Sequence, residues 1–456
     1  MRDLSNLPDS RADLDQYEVE HVFHPWAFQP AVSPWRVVSA KGMRYLCEDG
    51  RERLDFSSCY VSHNLGHQDP RIVEAICEQA RVLCSFSPNI STKPRALLAR
   101  ILAEITPGDL SRTFLSLGGG NANEAAVRIA HQFTGRRKIV SRYRSYHGST
   151  GVTATLSAGD DRNWAQVLGG SEWVAVPQPY CYRCMFGQAY PACELRCARY
   201  LDEVIELEGG GEKVAGVLFE PVTGANGIIV PPPEYLPELR RICDKWGVLM
   251  IADEVMTGFG RTGEWFAVDH WGVVPDVMSM AKGISGAHLP VGATIVRRHI
   301  GEYFKDHFFS HGETYAGYAV GCAAAIRAIQ IYQEDNLIEN SRNLGAYLLE
   351  RAQELQDKHP SVGDVRGLGL FVGLELVKSK KTREPLVSIR GRIEKGPNAK
   401  VEVARKLFEL GMTAVSANPG NVIALAPPLI VGKSEIDEAI GIMDQALAVA
   451  DAYAEK

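Results

Sequence analysis

The sequence predicts a doubly wound α/β protein: a large, mostly parallel sheet domain with a smaller α+β domain formed by both chain ends. Two observations carry this. Short apolar runs bounded by Gly, Pro or charge recur through the middle of the chain with helix-length segments between them. After about residue 320 the pattern turns helical, then gives short strands and a last helix.

The runs at 113–116, 138–141, 217–219, 248–252, 277–281 and 291–296 read as buried parallel strands, because strands covered on both faces need not alternate polar and apolar residues. Between the first two, Ala126, Ile129, Ala130 and Phe133 fall on one helical face, the spacing of a crossover helix. Helices are expected at 322–332, at 344–359 and from Ser434, and strands near 368–376 and 422–425. Residues 1–75 and 320–456 are assigned to the small domain and 76–319 to the large one. In such a fold, ligands bind beyond the carboxyl ends of the strands.

With 456 residues, 45% of them hydrophobic and 23% charged, the chain has ample material for a core. A net charge of -6 and the lack of a basic patch argue against nucleic acid or an anionic membrane surface as partner. The charged N-terminal stretch lacks a signal-peptide core, and no apolar run reaches a membrane-spanning length, so a cytoplasmic protein is expected. No repeat or low-complexity segment breaks the chain.

Two charges end apolar runs. In VLMIADEV the carboxylate of Asp253 follows five apolar residues, where it needs a cationic or hydrogen-bonding partner; a protonated pyridine nitrogen is one. In VMSMAKG the run ends at Lys282, an amine placed to form a Schiff base with a carbonyl cofactor. Either residue alone is as readily a capped or solvated charge. The run LGGGNANEAA puts Gly118, Gly119 and Gly120 between a strand and a helix, where backbone N–H groups can approach a phosphate; a flexible turn is the plainer reading. No Lys follows at the Walker position. In SRYRSYHGS, Tyr146 and His147 offer aromatic planes for stacking on a heteroaromatic ring, although buried aromatics more often simply pack.

Together these residues resemble the class III (omega) aminotransferases, fold type I enzymes that use pyridoxal 5'-phosphate (PLP). The resemblance is carried by LMIADEVMTGFGRTGEWFAVDHWGVVPDVMSMAKGISGAHLPVGA and extends from LDFSSCYVSHNLGHQDPRI through EPVTGANGI and HGETYAGY to LAPPLIV. It implies that Lys282 carries PLP as a Schiff base, that Asp253 pairs with the pyridine nitrogen, and that Tyr146 and Val255 lie against the two ring faces. It also implies that Gly119, Gly120 and, from the neighbouring subunit of a homodimer, Thr314 hold the phosphate, and that Glu220 lines the substrate pocket. The segments VFHPW, DFSS, SYHGST and PYCYRCMFGQAYPACELRCARY are most similar to the taurine and 3-aminobutyryl-CoA aminotransferase branch. The activity so implied moves an amino group from an ω- or β-amino compound to 2-oxoglutarate or pyruvate by a ping-pong mechanism. A PLP-dependent lyase of the phospholyase kind or an aminomutase could use the same carbanion chemistry. A PLP-binding regulatory module would need a nucleic-acid-binding extension, and none is seen.

The chain departs from the family pattern in two places. Gly120-Asn121 replaces the usual Ser-Glu or Ala-Glu, and no Arg follows Arg405, where relatives that bind an α-keto acid usually carry one. Either another group, Arg36 or Arg144, takes its place, or the preferred substrate is unusual. Finally, Cys181, Cys184, Cys193 and Cys197 form C-x2-C-x8-C-x3-C, a spacing that can wrap a structural zinc ion; four reduced thiols, or an iron–sulfur cluster, are the other readings.

Overall fold

The computed structural model describes residues 8–27, 29, 35–159, 172–388, 398–417 and 421–455. The first seven residues of the charged N-terminal stretch, and residues 418–420 within the segment that lacks an Arg, lie outside them.

The central sheet has seven strands in the spatial order Leu110–Ser116, Gly292–Arg297, Val277–Met280, Leu249–Asp253, Val214–Phe219, Lys138–Arg142, Trp173–Val176. Six of these are the expected runs with ends shifted by a few residues. The seventh, Trp173–Val176, is a four-residue edge strand, too short to stand out as an apolar run. One strand departs from the parallel expectation: Gly292–Arg297 is antiparallel to both of its neighbours. The cause is its connection from the preceding strand, residues 281–291, which is too short for the helical crossover that a parallel return requires. Lys282 sits in that connection. The crossover helix Gly119–Thr134 forms as read, with Ala126, Ile129 and Ala130 fully inside and Phe133 packed at their edge.

A second sheet joins the two chain ends. Strands Val37–Lys41, Arg44–Cys47 and Glu52–Phe56 continue into Met412–Ala417, Val422–Leu425, Val372–Ser379 and Val362–Gly367. The seam between them is parallel, pairing Met412 with Leu54 and Thr413 with Asp55. Residues 368–376, expected as one strand, instead hold the turn of a hairpin and the start of its second strand. Gly369 makes that turn at a φ of 58°, and a Cβ there would meet the Thr262 carbonyl carbon at 2.3 Å. Helices Ala319–Glu334 and Leu337–Lys358 follow the central sheet, and Lys433–Asp451 closes the chain. The first of these helices packs against Pro70–Val82, Lys93–Ile105 and the turn Lys282–Ser285. No helix among the described residues is long and apolar enough to cross a membrane.

Candidate active site

Asp253 ends the strand Leu249–Asp253, every residue of which is buried. An isolated buried carboxylate would cost several kcal/mol, so its partners matter. One oxygen, Oδ2, accepts from Asn123 Nδ2 at 2.7 Å and lies 2.7 Å from His147 Nδ1. The other, Oδ1, accepts from the Val255 backbone N–H at 3.0 Å. Asn123 is itself held, donating to the His147 carbonyl at 2.9 Å and accepting from Ser279 Oγ. The His147 ring is fully buried and meets Asp253 through Nδ1, so it orients a carboxylate as well as lining the cavity.

Lys282 begins a short 3-10 turn, Lys282–Ser285, directly beyond the strand Val277–Met280. Its φ of 51° is left-handed, a conformation costing a side-chain-bearing residue roughly 1–3 kcal/mol. The neighbouring residue shows what holds it there. Tyr332 Oη donates to the Gly283 carbonyl at 2.7 Å. A Cβ on Gly283 would come within 2.6 Å of Asn64 Nδ2 and 3.0 Å of Phe259 Cβ, so the turn is clamped from two sides.

The helix Gly119–Thr134 starts from Gly118 without a side-chain cap. Its first N–H groups have no intrahelical partner and the positive end of the helix dipole faces outward, the arrangement that binds a phosphate. Both glycines permit close approaches. A Cβ on Gly119 would lie 2.6 Å from Val255 Cγ1, and one on Gly120 would touch Gly148 Cα at 3.6 Å.

Tyr146 and Glu220 are joined through the backbone. Glu220 Oε1 accepts from the Tyr146 N–H at 3.0 Å and Oε2 from the Gly224 N–H at 2.7 Å. Burial pushes the Glu220 carboxyl above its usual range, against the opposing pull of His147. The Tyr146 hydroxyl lies 2.9 Å from Ser149 Oγ, and the Trp26 ring meets the Tyr146 ring edge-on at 6.4 Å.

Lys282, Asp253, Gly119, Gly120, Tyr146, His147, Glu220 and Val255 all line one cavity of about 1100 Å³. Its outer wall comes from the chain ends and includes Trp26, Tyr60, Lys400, Phe408 and Thr413. Sequence reasoning missed Asn123 and Lys400. Asn123 lies one helical turn beyond Gly119 on the same face, which is the signal that could have found it. Lys400, only 4% exposed, opens the helix Ala399–Leu410.

Four expectations need correction or a different place. No arginine among the described residues lines the cavity. Arg36 pairs with Asp15 and Glu48 near the surface, and Arg144 lines a separate cavity of about 40 Å³ beside Arg183, Arg366 and Glu375. Ala424, on the strand where relatives carry the arginine, packs in an apolar cluster with Phe371 and Val415 and does not line the cavity. Thr314 lies in an exposed turn, away from the cavity of its own chain. The expected four-cysteine zinc site has no support in the geometry: Cys181, Cys184, Cys193 and Cys197 lie near enough to influence one another electrostatically, but no three of them bring their sulfurs within 4.8 Å of one another. Cys181 starts an exposed 3-10 turn, while Cys197 lies on the helix Arg196–Leu207 and packs against the core.

A family model for the class III aminotransferases matches residues 28–447. The chain is 34% identical over 456 residues to the taurine–pyruvate aminotransferase of Bilophila wadsworthia, covering 97% of this chain and 98% of that protein. It is equally identical, over 426 residues and 93% of each chain, to a leucine/methionine racemase of Thermococcus litoralis. Among solved structures, the taurine:2-oxoglutarate aminotransferase of Bifidobacterium kashiwanohense, in complex with PLP and glutamate, superposes with a TM-score of 0.91 at 34% identity, covering 98% of this chain and 99% of that one. The two sheets are thus those of a fold type I PLP enzyme, and the chain belongs to the class III aminotransferases.

Proposed function

We propose that this enzyme transfers an amino group from an ω- or β-amino acid carrying a sulfonate or carboxylate at its far end, of the taurine or β-alanine type, to 2-oxoglutarate or pyruvate. The observation that carries the reading is the convergence of Lys282, Asp253 and the uncapped helix end at Gly119 and Gly120 on one cavity. These residues fit PLP. His147 Nε2 is buried without a hydrogen-bond partner among the described residues, and the absence of a Cβ on Gly119 lets Val255 pack close to the helix start.

Bound PLP supplies an electron sink for the carbanion left when the amine-bearing carbon loses its proton. Asp253, fixed by Asn123, His147 and the Val255 N–H, keeps a proton on the ring nitrogen. The Gly119–Gly120 helix end would hold the phosphate, with Tyr146 and Val255 beside the ring. Lys282 would be the point of covalent attachment, and its Nζ would take and return the proton at the amine-bearing carbon. Lys400 supplies the positive charge for the far end of the substrate. Its compact ammonium suits a sulfonate or carboxylate without requiring the bidentate geometry of an arginine, and this favours a free acid over an acyl thioester.

The test is a reaction with taurine or β-alanine in the absence of keto acid. A transaminase releases about one equivalent of carbonyl product per chain and stops until 2-oxoglutarate or pyruvate is added. Continued turnover without acceptor would assign the site instead to elimination, amine migration or racemisation. Lys282→Ala should lose both the activity and the borohydride-reducible PLP adduct.

A further inference from the structure

The outer wall of the same cavity carries a second group of chemically distinctive side chains. Cys59, His63 and His67 are spaced C-x3-H-x3-H, and their ligand atoms all lie within 4.8 Å of one another. All three line the cavity that holds Lys282 and Asp253. Hydrogen bonding to Asp55 places Cys59 and His67 but not His63, whose Nδ1 is buried and has no hydrogen-bond partner among the described residues. The local backbone is arranged to produce it. Ser58, Cys59, Tyr60 and Val61 take φ values of 44°, 47°, 64° and 62°, a left-handed turn without a glycine that brings Cys59 Sγ to 3.7 Å from Asp55 Oδ2.

Asp55 completes the arrangement from behind. Its Oδ2 lies 2.9 Å from His67 Nε2, and its Oδ1 accepts from Ser57 Oγ at 2.6 Å and the Ser57 N–H at 2.9 Å. A carboxylate anchored in this way fixes the orientation of the imidazole, as the carboxylate partner of a metal-bound histidine does.

We propose that Cys59, His63 and His67 form a binding site for a divalent transition metal of the zinc class, and that an ion held there obstructs the cavity that Lys282 and Asp253 also line. One thiolate and two imidazoles make a borderline-soft donor set that selects Zn²⁺ over Mg²⁺ or Ca²⁺. Binding releases the Cys59 proton to solvent, and the fourth tetrahedral position is left to water. Cys59 is exposed, so the ion has a path in. Because the three ligands share a wall with the reacting groups, the ion and its water take space from the substrate.

The experiment uses PLP-loaded enzyme stripped of metal with a chelator. It is titrated with Co²⁺, whose visible absorption reports tetrahedral thiolate ligation, and with Zn²⁺ by equilibrium dialysis. The expected result is one ion per chain, with affinity reduced by more than the roughly 10- to 100-fold cost of losing an outer-shell partner in Cys59→Ser and in His63→Ala, and unchanged by Cys184→Ser. The turnover rate should fall in step with zinc occupancy in the parent enzyme but not in Cys59→Ser, each compared with its own metal-free rate. Parent-like zinc affinity in Cys59→Ser, or an octahedral cobalt spectrum, overturns the site. Full occupancy without loss of rate overturns the obstruction. If His63→Ala does not fold, the thiolate band in Cys59→Ser decides alone. The binding arm needs no turnover, so failure of the aminotransferase reading leaves it intact.

Discussion

At the strand tips, Asp253, Asn123 and His147 are buried and bonded to one another from three different elements of the central sheet domain. Across the same cavity, Trp26, Tyr60, Lys400 and Phe408 reach in from segments near the two ends of the chain. The first region is over-determined, since moving any one member leaves a buried polar group unpaired, at a cost of about 1–3 kcal/mol. The second is built largely from ring packing, such as Trp26 edge-on to Tyr60 at 5.7 Å, where a substitution leaves no buried polar group of a network unpaired. The difference teaches where chemistry and selectivity reside. On the proposed function, the electron-sink machinery would belong to a network that tolerates little change, and the choice of amine to a wall that can vary.

The sharpest way to break this comparison is Asp253→Asn. The amide keeps the size of the carboxylate but cannot keep the ring nitrogen charged, and it sets an N–H group against donors that now face an acceptor on one side only. We expect PLP to be retained and the rate with every amine to fall by about 10²- to 10⁴-fold, measured as kcat in each half-reaction. Near-normal turnover would show that the network is structural and that the two regions do not differ in kind.

A smaller effect of a different type is expected at Lys400. Lys400→Met keeps much of the apolar stem of a residue that is only 4% exposed and removes the charge. KM for taurine or β-alanine should rise by roughly 100-fold, with kcat much less affected and an uncharged amine such as butylamine unaffected. An equal loss with charged and uncharged amines would mean that the lysine supports the wall and does not read the substrate.

The same contrast explains what could be read from the sequence. Lys282, Asp253, Gly119 and Gly120 were each a weak signal alone, a charge ending an apolar run or a glycine run before a helix, and stood out only within the long motif that resembles the class III aminotransferases; the structure lines all four along one cavity. The direction of Gly292–Arg297 was not legible from its apolar pattern, which is the same for either orientation; the short connection before it decided the matter. His147 was read by its aromatic character, whereas its position is set by a hydrogen bond to a residue 106 positions away. Lys400 carried no signal at all, because a lysine in the first turn of an amphipathic helix normally faces solvent. Only the pairing of Met412–Ala417 with Glu52–Phe56 brings the chain ends together into a wall. The cysteine spacing overstated the case, since spacing gives the order of ligands and not their distance.

The smallest expected effect sharpens the comparison by asking whether the cofactor region ends at the chain's own surface. Thr314 lies in an exposed turn and touches nothing in its own cavity, yet its segment resembles one that reaches a phosphate in a neighbouring subunit. If a homodimer places it there, its hydroxyl adds a single hydrogen bond to a charged group already held by the helix end at Gly119 and Gly120. One such bond among several is worth about 1.5 kcal/mol. Thr314→Ala should therefore weaken PLP binding by about tenfold. The melting temperature of the cofactor-free protein should stay the same, because the side chain is exposed within its own fold. Sedimentation should show a dimer in both proteins. Parent-like PLP affinity in the variant, or a monomer that binds PLP with full affinity, would confine the phosphate site to one chain. The network around Asp253 would then be complete without a partner.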